Sequence, residues 1–143
     1  MVIIREALAR DIESTLIVMT AASLRLREAD TDAAIRRYLL RNPGFSFVAE
    51  FEGELVGCVM SGHDGRRGYL HHLAVTSFHR RKRIATRLVE AALERLEAEG
   101  VFKSHIDIST TNQSAIEFWE SMGWKRRGDV VRYSFIQKGS ENV

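Results

Sequence analysis

The sequence predicts an α/β (α+β) domain, with a mixed central sheet of about six or seven strands and helices on both faces. Three observations carry this expectation. Glu52-Gly53-Glu54 separates two strand-like runs, which reads as an antiparallel hairpin. Beyond the hairpin, strand and helix patterns alternate, which implies β-α-β units in a sheet that is not purely antiparallel. The 143 residues match one ordinary domain, so residues 1–143 are expected to form a single domain.

In chain order, residues 2–5 read as a short strand. Residues 11–24 carry Ile12, Leu16, Met19 and Leu24 near helical spacing. Residues 31–40 form a second helix candidate, with Ile35, Tyr38 and Leu39 on one side. It stops before Asn42-Pro43-Gly44, a turn signal containing the chain's one proline. Residues 45–51 and 55–63 are the hairpin strands. A polar loop, 64–68, leads into a strand over 69–75. The strongest helix spans 84–99, where Ile84, Leu88, Ala91, Ala92 and Leu96 make an apolar stripe and Gly100 is the stop. A strand over 102–108, a helix over 112–122 stopped by Gly123, and a last strand over 130–136 complete the order.

The composition excludes several classes. A single cysteine, Cys58, rules out a disulfide framework within the chain and fits a reducing compartment. Residues 1–10 lack the basic start and long apolar core of a secretory leader. No apolar run approaches the roughly 18 residues of a membrane span. A soluble, cytoplasmic protein with no membrane partner is therefore expected. The formal net charge of +2 argues against a surface-wide polyanion site, so no nucleic-acid partner is expected.

The charge is uneven, however. Arg80, Arg81, Lys82 and Arg83 follow one another between a strand end and the long helix. A helix start offers unpaired N–H groups and a partial positive charge, which together bind phosphate oxygens. Cations are electrostatically unfavourable there unless they meet an anion. A solvated basic face is the plain alternative. A compact diphosphate is the ligand that fits the cluster best.

The segment Leu73-Ala74-Val75, then Arg80 to Arg83, Ile84, Ala85 and Thr86, resembles motif A of the GNAT acetyltransferases. That motif is a strand ending Leu-Ala-Val, then Arg/Gln-x-x-Gly-x-Gly/Ala leading into a helix. The resemblance implies the GNAT fold, acetyl-CoA as cosubstrate without a metal, and CoA contacts from all of these residues. Arg83 stands where the motif has glycine; with a negative φ it would still offer its N–H. The segment from Asn112 through Ala115 and Phe118 to Gly123-Trp124 is similar to motif B. Asn112 is expected to cap its helix and to contact CoA. Trp119 occupies the position of a tyrosine that in many relatives protonates the departing thiolate. Indole is no practical proton donor near neutral pH, so Trp119 either lines the cleft or simply packs. Water, Ser121 or Tyr133 are the substitutes.

The resemblance further implies N-acetylation of a primary amine by direct attack in a ternary complex, and a cleft where the strand over 69–75 diverges from the strand over 102–108. The acceptor, a small molecule or a peptide or protein amine, would meet residues 22–40. Two candidates serve as general base. Asp107, flanked by Ile106 and Ile108, is expected to be partly buried, against the alternative of an ion pair with a neighbour such as Lys103. His71 and His72 are expected on opposite strand faces, and His72 is the candidate turned to the cleft. Cys58 reads as packing. A catalytically weak acyl-CoA sensor with the same fold is the alternative to the enzyme, and the oligomeric expectation is a monomer or homodimer.

Overall fold

The structure is a computed structural model that describes all 143 residues. Its contacts divide the chain into two compact units, Met1–Ile106 and Asp107–Val143. The first holds the whole sheet: β1 (Val2–Glu6), β2 (Phe47–Phe51), β3 (Glu54–His63), β4 (Gly68–Val75) and β5 (Ser104–His105), in the spatial order β1-β2-β3-β4-β5. β1 to β4 are antiparallel neighbours and β5 joins β4 in parallel, so the sheet is mixed. The helices of this unit are α1 (Ile12–Ala21), α2 (Asp32–Arg41) and α3 (Ile84–Ala98).

The alternation of β3 sorts the helices onto two faces. Cys58 is buried with Ile12, Val18 and Met19 of α1, Ile35 of α2, Val48 of β2 and Ala74 of β4. Gly57 faces the other way, toward α3. A Cβ there would lie 3.2 Å from Leu88 and 3.3 Å from Ile84 and the Ala74 carbonyl. The missing side chain lets α3 seat close against the sheet. The helix buries Ile84, Leu88, Val89, Ala92 and Leu96, close to the expected stripe. It ends where Gly100 takes a φ of +86° and Val101 N–H bonds back to the Leu96 carbonyl. Thr31 caps α2 by accepting the Ala34 N–H. Arg5 ties β1 to the start of α1, donating to both Asp11 carboxylate oxygens at 2.8 Å while also pairing with Glu50 of β2.

The second unit contains α4 (Gln113–Ser121), capped by Asn112, whose Oδ1 accepts the Ala115 N–H. Two strand expectations fail. Residues 130–136 form no strand, and Val131, Tyr133 and Phe135 are exposed. Their alternating pattern suits a pleated surface, but a strand exists only where an edge pairs with it. The strand expected over 102–108 contracts to Ser104–His105, the two residues that meet β4. The sheet thus has five strands rather than six or seven.

Candidate active site

β4 is irregular where the sequence placed the chemistry. Cys58 pairs with Ala74, but Met60 pairs with His71, so Val59 alone opposes both His72 and Leu73. This is a β-bulge, and His72 takes a left-handed φ of +51° within it. A bulge re-aims side chains. It overturns the expectation that His71 and His72 lie on opposite faces, because both now meet the α1–α2 segment. The His71 ring meets Tyr38 of α2 edge-on at 5.8 Å. His72 Nε2 lies 2.8 Å from Oδ1 of Asp30, in the short 3₁₀ turn before α2. Asp30 is the residue that sequence reading missed as a site group. No local signal links it to His72, from which it is separated by 42 positions.

Pairing between β4 and β5 stops at Tyr69 and His105. From Leu70 onward the β4 edge away from β3 has no strand beside it, because β5 ends at His105. Thr76 N–H donates to the Val56 carbonyl across the β3 side. By the alternation of an antiparallel ladder, the preceding Val75 N–H points to the open edge. The Val75 carbonyl on that edge receives Arg80 Nε at 3.3 Å. Ala74 and Val75 are buried and Leu73 half-buried, so the strand end offers backbone rather than side chains.

Beyond the strand, Arg80, Arg81, Lys82 and Arg83 are all exposed. Arg81 and Arg83 adopt left-handed φ values of +63° and +60°. Arg83, the N-cap of α3, therefore holds the backbone shape for which glycine is suited, and the condition of a negative φ is not met. No side chain caps α3, and its first helical bond runs from Arg87 N–H to the Arg83 carbonyl. The N–H groups of Ile84, Ala85 and Thr86 are thus the open donors of the helix start. Lys82 sits over the Phe51 ring at 5.5 Å. Arg83→Gly is expected to raise stability by up to about 1 kcal/mol, as relief of left-handed strain exceeds glycine's entropy cost. A thermal melt reads this directly, and a lowered midpoint would contradict it.

In the second unit, Asp107 is exposed and pairs with Arg132 at 2.9 Å. The expected partial burial is not met, because only Ser104 and His105 of this stretch join the sheet. The ion-pair alternative holds, with Arg132 rather than Lys103 as partner. Trp119 is buried, with its ring edge-on to Phe118 at 5.3 Å and Trp124 at 4.7 Å. Ser121 Oγ donates to the Phe118 carbonyl, and Tyr133 is exposed. Cys58 is buried and its thiol is pushed up to about 12 by that burial, consistent with packing. No group of three His, Cys, Asp or Glu side chains is arranged to hold a metal. No helix is long and apolar enough to cross a membrane.

A strand end with an open edge, followed by an uncapped, cationic helix start, offers backbone donors and positive charge to an anionic ligand. Over residues 10–124 the chain matches the acetyltransferase (GNAT) family. It is 31% identical over 115 residues to an acetyltransferase of Pectobacterium atrosepticum, covering 80% of this chain and 82% of the relative. A Sodalis glossinidius acetyltransferase is 31% identical over 102 residues, covering 71% and 72%. Among solved structures, the PaiA N-acetyltransferase of Thermoplasma acidophilum in complex with coenzyme A superposes with a TM-score of 0.79. That match covers 87% of this chain and 90% of the other at 15% identity, a likeness of fold. Ard1 of Thermoplasma volcanium superposes with a TM-score of 0.74 at 26% identity, covering 85% and 81%. The chain belongs to the GNAT acetyltransferase family.

Proposed function

We propose that this protein is an N-acetyltransferase that moves the acetyl group of acetyl-CoA onto a primary amine by direct attack in a ternary complex, with residues 1–143 acting as one catalytic domain. The observation that carries this is the open β4 edge running into the uncapped start of α3. Amides of Ile84, Ala85 and Thr86, in a loop turned by left-handed Arg81 and Arg83, suit a diphosphate. The outward Val75 N–H suits an amide-bearing arm such as pantetheine. Arg80 to Arg83 supply charge, and Leu73 and Ala74 complete the proposed contacts of this unit.

When bound, acetyl-CoA supplies an acetyl thioester for the amine to attack, the C–N bond forming as the C–S bond breaks and thiolate leaves. The chain must first keep the amine neutral, since a lysine-like amine has a pKa near 10.4. His72 is the base this reading favours, because it lies in the bulge beside the open edge. Asp107 is not favoured, because it is exposed and paired with Arg132. Trp119 serves packing, and the thiolate, with a thiol pKa of about 8.5, leaves with little proton help. Trp119→Tyr is accordingly expected to keep kcat within roughly tenfold of the parent. A variant that turns over beside an inert parent would instead support the sensor alternative.

Calorimetry tests the cosubstrate. CoA is expected to bind at least about tenfold more tightly than pantetheine, since one strong charge-assisted contact is worth that much. Arg83→Gly is expected to preserve that affinity. Equal affinities for CoA and pantetheine would remove the diphosphate site. Thiol release with 1,4-diaminobutane, lysine and an alanine-starting hexapeptide then sorts the acceptor class.

A further inference from the structure

We infer that Asp30 is a positioning residue that fixes the proton of His72 on Nε2 and leaves Nδ1 as the nitrogen that takes the amine's proton. The inference rests on the reading of His72 as base. Its grounds are geometric. Asp30 is held from two sides: Oδ2 accepts the Arg27 backbone N–H at 2.9 Å, and Oδ1 faces His72 Nε2 at 2.8 Å. Its side chain is only 10% exposed and that of His72 24%. An ionised carboxylate can only accept, so the ring nitrogen facing it must carry hydrogen. In the neutral ring the other nitrogen is then bare, and a bare nitrogen is what a base needs.

The bulge is the second ground. A residue held at φ +51° without being glycine is strained, and here its imidazole meets Asp30 of the α1–α2 segment. That segment is where the acceptor is proposed to bind. Asp30 therefore links the acceptor side to the base: the turn that closes the α1–α2 connection also sets which nitrogen is available. The other ionisable groups against this part of β4 do not compete for the role. The Cys58 thiol of β3 is pushed up to about 12, and its Sγ contacts the His72 carbonyl rather than the ring. His71 of β4 and Tyr38 of α2 meet each other, and His105 of β5 meets Tyr69. Asp11, a buried carboxylate, is engaged by Arg5 and the Leu8 N–H.

The test has a readout that needs no acceptor. Long-range ¹H–¹⁵N NMR of the histidine rings reports the tautomer of His72, assigned by its loss in His72→Gln. The parent is expected to show hydrogen on Nε2 and bare Nδ1, and Asp30→Asn to shift the population toward Nδ1–H. Asp30→Asn keeps an oxygen for the Arg27 N–H, and a thermal melt checks that the turn survives. With acetyl-CoA and whichever of 1,4-diaminobutane, lysine or the hexapeptide turns over fastest, Asp30→Asn is expected to lower kcat roughly 10–100-fold, part of what a general base contributes. KM for acetyl-CoA is expected to stay unchanged, and Asp30→Glu to recover part of the rate. A parent ring protonated on Nδ1, an unchanged tautomer in Asp30→Asn, or an unchanged kcat in that variant overturns the inference. If His72→Gln itself turns over like the parent while binding CoA normally, the reading of His72 as base falls instead.

Discussion

His72→Gln is expected to lower kcat by roughly 10²–10⁴-fold while leaving CoA affinity unchanged. The reason lies in the chemistry the reaction demands. An alkylamine is overwhelmingly protonated at neutral pH, so attack requires a group that collects its proton in place. Glutamine keeps the side chain's size and a hydrogen-bond donor for Asp30, but it offers no basic nitrogen. None of the proposed CoA contacts is made by the His72 side chain, so cosubstrate affinity is the control for packing. A variant with parental kcat on every amine tested would transfer proton removal to solvent.

Asp11→Ala is expected to destabilise the fold by about 3 kcal/mol, the lower end for breaking a buried ion pair. Asp11 is buried, and its carboxylate takes both Arg5 nitrogens and the Leu8 N–H. Arg5 retains Glu50 in the variant, which keeps the cost from rising further. The same contacts give a pH signature. Hydrogen bonding from Arg5 is the main cause that holds the Asp11 carboxyl below its usual range. A depressed folded pKa stabilises above the unfolded value, near 3.9, and that stability is lost as pH falls through the lower folded value. Urea unfolding of the parent should therefore weaken steeply below about pH 4, and Asp11→Asn should flatten that slope. Parallel pH profiles for the two proteins would show that other carboxylates govern acid unfolding.

Much of the first unit was legible in the sequence because it rests on local chemistry. The hairpin around Glu52-Gly53-Glu54 and the stripe of α3 with its glycine stop are written in a few adjacent residues, as is the Asn112 cap in the second unit. The motif around Leu73 to Thr86 also needs only strand, loop and helix in sequence. Arg83 was legible as a departure from the family's glycine. Its left-handed backbone was not, because that shape follows from how the loop must enter α3 rather than from the arginine itself.

The sequence by itself determined the mixed sheet, the helices on its two faces, the basic helix start and the family. Those follow from periodicity, turn residues and charge, each read within about one helix or strand length. Tertiary structure alone decided the bulge at His72, the Asp30 pairing, the exposure of Asp107 and the lack of strand pairing at residues 130–136. Each depends on which distant backbone lies alongside. One extra residue in β4 relative to β3 turns two neighbouring histidines toward the same helical segment, and a β-prone run without an edge beside it forms no strand.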